Sequence, residues 1–155
     1  MKRKKRILVA PLNWGIGHAT RCIPIIKTLI NNDYDVIVAG SGRVLKLLKI
    51  EFPNLKQIIF KDYGIKYPRY FPMSISLITQ IPKIFLNIKK ENKNLNKILH
   101  NYQIDGVISD NRYGLYSTIV PCVFLTHQLN IQSIYFNKII RKINYHYINK
   151  FDQCW

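Results

Sequence analysis

The sequence predicts an α/β fold in which helices cover both faces of a parallel sheet. Two observations lead to this prediction. Short, continuous apolar runs, such as residues 7–10 and 36–39, are typical of parallel strands that are buried on both faces. Segments with apolar residues at helical spacing separate these runs. Strands that alternate with helices imply right-handed crossovers within one parallel sheet.

The elements follow one another in regular order. Strands are predicted at residues 7–10, 36–39, 57–60, 106–109 and 123–126, and residues 151–155 are interpreted as the opening of a further strand. Helices are predicted at residues 19–30, after Gly42, at 74–100 with Pro82 as a kink or break, in a short segment that ends near Pro121, and at 134–147. Residues 63–72, rich in aromatic, proline and basic residues, are predicted to form a loop.

Composition sets limits on the partners. The 155 residues suffice for one core, and their formal net charge of +16 comes from 24 Lys and Arg against 8 Asp and Glu. This excess indicates either a polyanionic partner or simply a lysine-rich surface. Cys22, Cys122 and Cys154 are widely spaced and fit neither a disulfide framework nor a metal cluster. From the cysteines we expect no metal and a reducing setting. We expect a cytoplasmic location because, in addition, no apolar stretch reaches the roughly 18 residues that span a bilayer.

The carboxyl ends of the predicted strands carry the polar side chains. In a doubly wound sheet, ligands bind beyond these ends, so the residues after the first, fourth and fifth strands should share one crevice. These are residues 13–18, 110–114 and 126–128. Gly15 and Gly17 would let the backbone turn tightly and approach a ligand, and the following helix start suits an anion. His18, at that helix start, is suited to proton transfer near neutral pH.

Three other interpretations compete with this one. The loop could be a dinucleotide fingerprint, although Thr20 occupies the position of the third glycine and no acidic residue follows the second strand. Because Arg43 could accommodate a 2′-phosphate, an NADP-binding protein stays open as an alternative. In a purely structural alternative, His18 caps its helix and the glycines make a turn. A basic nucleic-acid-binding domain is disfavoured, since no recognition signature accompanies the charge.

The loop Gly15-Ile16-Gly17-His18 with its helix, the turn from Ser109 to Gly114 and the segment from Leu125 to Gln128 resemble one known group. Over about residues 6 to 130 the sequence is similar to the N-terminal half of a GT-B glycosyltransferase, within the MurG-like and UDP-sugar transferase group. The resemblance implies a Rossmann-like domain at residues 1–130 that binds the acceptor. Residues 131–155 are then a basic helix and the start of a truncated final strand.

The resemblance also implies the partners and the site. The nucleotide sugar, expected to be a UDP-sugar, is a co-substrate and no cofactor is needed. The donor-binding C-terminal domain is absent from these 155 residues. Activity would therefore require that domain or a separate donor subunit. The family position matched by His18 is that of a residue that acts as the base on the acceptor or shapes the acceptor site. The acceptor-binding residues implied are Asn13, Gly15, Gly17, Asp110, Asn111, Arg112, His127 and Gln128.

A second surface is suggested between residues 67 and 90. The aromatic and basic loop at 67–72, with the apolar and basic stretch that follows, would suit a lipid interface. Three possibilities therefore stay open: a lipid-linked acceptor, an anionic membrane surface as a partner, and a peripheral location at the inner face of the membrane. The alternative is that Ile78, Ile81, Phe85 and Ile88 are ordinary core contacts and the lysines a solvated face.

Overall fold

The sheet has the predicted parallel architecture. A computed structural model describes residues 3–61, 73–126 and 137–155, the side chains of 73–81 and 137–140 excepted. Its six strands lie in the order β3-β2-β1-β4-β5-β6, and every neighbouring pair is parallel. The strands are β1 (Arg6–Pro11), β2 (Asp35–Gly40), β3 (Lys56–Ile59), β4 (Gly106–Asp110), β5 (Cys122–Leu125) and β6 (Gln153–Cys154). The α/β, Rossmann-like prediction is confirmed.

The helices connect these strands, and they differ from expectation in several places. They are α1 (Ile16–Asn31), α2 (Gly42–Glu51), α3 (Met73–Tyr102) and α4 (Asn137–Ile148). Pro82 lies inside α3, which continues through it, so the break expected as one alternative does not occur. The prediction of a short helix before Pro121 is wrong, because residues 111–120 form turns and bends. In that segment the carbonyls of Gly114 and Tyr116 accept hydrogen bonds from the Asn92 side chain on α3, at 3.0 and 2.7 Å, rather than from a following helical turn.

Two apolar clusters place helices on both faces of the sheet. Val9, Val36 and Val38 pack with Ile26 of α1 and Leu48 of α2 on one face. The alternate strand residues, Leu8, Ala10 and Ile37, pack with Leu95 of α3 and Ile148 of α4 on the other. Because side chains alternate along a strand, one continuous apolar run can supply both clusters.

The strand order creates a crevice between β1 and β4. The helices that follow β1 and β2 lie on one face, and α3, which leads into β4, lies on the other, so the loops after β1 and β4 diverge. Pro11 pairs with Asp110 at the carboxyl ends of these strands, and the Leu12 amide donates to the Asp110 carbonyl at 3.1 Å. The two loops therefore begin side by side.

The surface suggested for lipid contact is partly core. Ile88 is buried, and the Phe85 ring lies 5.9 Å from the ring of Tyr147. The core alternative holds for these two residues. The loop at 67–72 and the side chains of Ile78 and Ile81 lie outside the described residues. In the portion that the structure describes, none of the helices combines the length and apolar character needed to cross a membrane.

Candidate active site

The centre of the site is a contact between His18 and Asp110. His18 lies in the first turn of α1, and Asp110 is the last residue of β4. The His18 Nδ1 atom lies 3.1 Å from Asp110 Oδ2. The Asp110 side chain is wholly buried, whereas 13% of the His18 side chain is exposed. A carboxylate without solvent must be paired and hydrogen-bonded, so Asp110 depends on the donors around it.

Arg21, which was not among the residues predicted from the sequence, supplies most of these donors. Its Nη2 lies 2.6 Å from Asp110 Oδ1, and its Nε lies 3.2 Å from Oδ2. The same Nη2 lies 2.8 Å from His18 Nδ1. Arg21 follows His18 by three residues on α1, which places both on one helix face. This spacing was the signal in the sequence that could have identified Arg21 as a neighbour of His18.

Cys22 contributes a weaker contact from beneath. Its Sγ lies 3.8 Å from Asp110 Oδ2, and the residue is wholly buried. Burial, reinforced by the neighbouring carboxylate, raises the pKa of the Cys22 thiol well above its usual value. The thiol therefore stays protonated and can act as a weak donor to Asp110. It is a structural neighbour of the site.

An open cleft lies in front of this cluster. It has a volume of ≈ 470 Å³ and is lined by Trp14, Gly15, Gly17, His18 and Arg21. A Cβ atom built on either glycine would meet nothing within 4 Å, so their small size leaves room above the backbone. The φ angle of Gly15 is 177°, an extended value open to any residue. The backbone at Gly15 therefore does not require glycine for a tight turn, and the close approach of a ligand there stays a prediction.

Asn13 connects the loop after β1 to helix α2. Its Oδ1 accepts a hydrogen bond from the Val44 amide at 3.3 Å. Gly42, the first residue of α2, has a φ of 56°, and a Cβ there would lie 3.0 Å from the Asn13 Cγ. Beside this contact lies a second depression of ≈ 360 Å³, whose lining includes Trp14 and Arg43. Asn13 thus helps to shape the wall of the crevice.

Arg112 lies beneath the crevice. The guanidinium is wholly buried, with Nε 2.7 Å from Glu91 Oε1 and Nη2 2.7 Å from the Lys61 carbonyl. It also lies over the Phe60 ring, 4.8 Å from the centroid. Asn111, between Asp110 and Arg112, has a left-handed φ of 56°. These contacts of Arg112 are internal to the chain, and its part in acceptor binding stays a prediction.

Comparison of the sequence with models of protein families identifies the family of this chain. A family model described as glycosyl transferase family 1 matches residues 5–153. The chain belongs to this family. Among curated proteins, none matches it.

Solved structures agree on the fold of this glycosyltransferase chain. MurG from Acinetobacter baumannii is 13% identical, with a TM-score of 0.59 over 98% of this chain and 40% of its own. SsfS6 from Streptomyces sp. SF2575, solved with thymidine diphosphate, is 15% identical, with a TM-score of 0.58 over 93% of this chain and 43% of its own. LpCGTa, solved with UDP, is 14% identical, with a TM-score of 0.51 over 79% and 30%. The chain therefore spans less than half the length of each.

The remaining predicted site residues of this chain stay predictions. His127 and Gln128 lie outside the described residues. Asn111 is partly buried, and its amide donates to the Leu125 carbonyl at 3.1 Å, which joins the ends of β4 and β5. Within the described part of the chain, no group of three or more His, Cys, Asp or Glu side chains is arranged to hold a metal ion.

Proposed function

We propose that this chain is the acceptor-binding part of an enzyme that transfers a sugar from a nucleotide sugar to an acceptor hydroxyl, with His18 as the general base. The observation that carries the proposal is the contact between His18 Nδ1 and the buried Asp110, at the wall of an open cleft. A histidine held by a buried carboxylate is a recurrent arrangement for accepting a proton from a hydroxyl.

The chemistry follows from the two ring nitrogens. When Nδ1–H donates to Asp110, the lone pair of His18 lies on Nε2, which takes the proton of the acceptor hydroxyl. The acceptor oxygen forms a bond to the anomeric carbon as the bond from that carbon to the diphosphate oxygen breaks. The electron pair leaves with the nucleoside diphosphate, and the proton remains on His18. The carboxylate of Asp110 stabilises the resulting imidazolium, and displacement from the opposite side inverts the anomeric centre.

The donor is proposed to be a UDP-sugar. Two structures of similar fold carry thymidine diphosphate and UDP, respectively, which supports a nucleoside diphosphate as the leaving group. The donor would bind to a further domain or a separate subunit, because the matched structures extend well beyond the share that this chain spans. No cofactor is required for this displacement.

The acceptor is proposed to present a ring or other flat apolar face next to its hydroxyl. Trp14 is half exposed, and so is Ile16, the first residue of α1. An aromatic side chain at a cleft offers a large contact area at low entropic cost. Lys89, Lys90, Lys93 and Lys97, exposed on α3, favour an anionic membrane surface, where a lipid-linked acceptor would be found.

The test is the transfer reaction of the intact enzyme, followed by mass spectrometry of the acceptor with a panel of nucleotide sugars. His18→Ala should lower kcat by roughly 10²–10⁴-fold, the usual effect of losing a general base. Thr20→Ala is the matched control, since Thr20 lies on the same helix but is exposed, and its hydroxyl donates to the Gly17 carbonyl at 3.1 Å. Near-normal turnover of His18→Ala would contradict the proposal. Tight binding of NADPH, or of nucleic acid with a steep salt dependence, would instead support the competing interpretations.

A further inference from the structure

Arg21 contacts both members of the His18–Asp110 pair, and these contacts make conflicting demands on one nitrogen. Arginine has donors and no acceptor. For Arg21 Nη2 to donate to His18 Nδ1 across 2.8 Å, Nδ1 must carry a lone pair. For Nδ1 to donate to Asp110 Oδ2 across 3.1 Å, it must carry a proton. A neutral imidazole can satisfy only one of these contacts.

The distances favour the contact with Arg21. Two donors facing each other at 2.8 Å would repel, whereas that distance is normal for N–H···N. Asp110 does not need the proton of His18, because Oδ1 accepts from Arg21 Nη2 at 2.6 Å and Oδ2 accepts from Nε at 3.2 Å. Such a two-pronged arginine contact is a strong form of carboxylate pairing.

The geometry points to Arg21 as a positioning residue that sets the tautomer of His18. In this resting arrangement Nδ1 accepts from Arg21, and the ring proton lies on Nε2, so that His18 is a donor rather than a base. The basic form arises when Arg21 gives up Nδ1 while keeping its ion pair with Asp110 Oδ1. Solvent then takes the proton from Nε2 and returns one to Nδ1, which donates to Asp110. Only the catalytic consequence of this switch rests on the proposed function.

The test is a nitrogen-15 NMR measurement on the 155-residue chain. Two-bond proton–nitrogen correlations of each imidazole distinguish a protonated from an unprotonated ring nitrogen. They are recorded at a pH about two units above the ordinary histidine pKa of ~6.5. The chain has 4 histidines, and a His18→Gln variant identifies the signal of His18. We expect Nε2 protonated and Nδ1 unprotonated in the wild-type chain.

Removing the guanidinium should change this pattern by placing a proton on Nδ1. In Arg21→Met, Asp110 Oδ2 faces Nδ1 without the competing donor, so Nδ1 should gain a proton in either the neutral ring or the imidazolium. Lys27→Met is the matched control, because it removes a cation further along α1 that pairs with Glu51 at 2.6 Å and is 56% exposed. The control should leave the His18 pattern unchanged.

Each outcome decides the inference. A proton on Nδ1 in the wild-type chain overturns it, whether or not the variants fold. An unchanged pattern in a folded Arg21→Met chain overturns the role of Arg21. If the expected change is found but His18→Ala retains turnover in the intact enzyme, the proposed base is wrong while the tautomer assignment stands.

Discussion

Replacing Arg112 by Met should strongly destabilise the chain, although Arg112 is a charged residue in a loop. Its guanidinium and the Glu91 carboxylate are 0% and 4% exposed, with Nε and Oε1 2.7 Å apart. Glu91 Oε2 accepts one further hydrogen bond, from the Gly114 amide at 2.9 Å. Without the guanidinium, Glu91 would be a buried carboxylate that has lost its ion-pair partner Arg112.

The magnitude follows from these contacts. Removing one partner of a buried ion pair costs about 3–5 kcal/mol. The carbonyls of Lys61 and Pro11, which accept from Arg112 at 2.7 and 3.4 Å, also lose their donor. We therefore expect a loss of about 4 kcal/mol or more, a large part of the ~5–15 kcal/mol that stabilises a typical domain. Urea unfolding followed by far-UV circular dichroism measures this free energy.

Two further variants show whether the buried charge is the cause. Glu91→Gln in the Arg112→Met background removes the charge but keeps an oxygen for the Gly114 amide, so it should recover about 2 kcal/mol. Lys27→Met breaks an exposed pair with Glu51 and should change stability by at most ~1 kcal/mol. If Arg112→Met costs no more than Lys27→Met, the reasoning fails. If the double variant recovers nothing, the cost arises from lost packing and carbonyl contacts rather than charge.

Three other predictions concern the cleft and the pH dependence of stability. Trp14→Ala should raise the acceptor KM about tenfold, equivalent to ~1.4 kcal/mol, with little change in kcat, as steady-state kinetics would show. Gly42→Ala should cost ~1–2 kcal/mol in urea unfolding, because its φ is 56° and the added Cβ meets Asn13, whereas the same change at Gly15 should be nearly neutral. The hydrogen bond from Arg3 holds the pKa of Asp105 below its usual 3.8, so this contribution to stability is present above pH 3.8 and is lost as pH falls through the lowered value. Asp105→Asn should therefore weaken the acid dependence of unfolding in that range.

The sheet could be predicted from the sequence because its strands are buried on both faces. The runs at 7–10 and 36–39 contain almost nothing but apolar residues, and the observed strands exceed each run by one residue at either end. Helix α1 was placed three residues late, from Ala19 rather than Ile16. Glycine lowers helix propensity, so Gly17 concealed the first turn that contains His18.

The position of the crevice could be predicted from the sequence, but the side-chain contacts within it could not. The rule that ligands bind beyond the strand ends brought His18 and Asp110 into one region. Their contact joins residues 92 positions apart, and it depends on strand register and side-chain direction. Asp110 and Arg112 lie two residues apart, yet one contacts His18 at the cleft wall while the other is buried against Glu91. The left-handed backbone of Asn111 lies between them, and local sequence does not determine which way that turn directs each side chain.

The chain concentrates its buried charges where the proposed chemistry needs a fixed geometry. Of its 8 acidic residues, Asp110 and Glu91 are the ones buried in the part that the structure describes, and each is paired with an arginine. Burying a carboxylate is costly, and simple stability would be served as well by apolar residues. The Glu91–Arg112 pair instead anchors the β4–β5 loop to α3, and Asp110 stands at the start of that loop. A buried carboxylate can orient a base only if the carboxylate is itself held in place. Electrostatic stabilisation of a reaction depends on charges and dipoles that are already in position before the reaction.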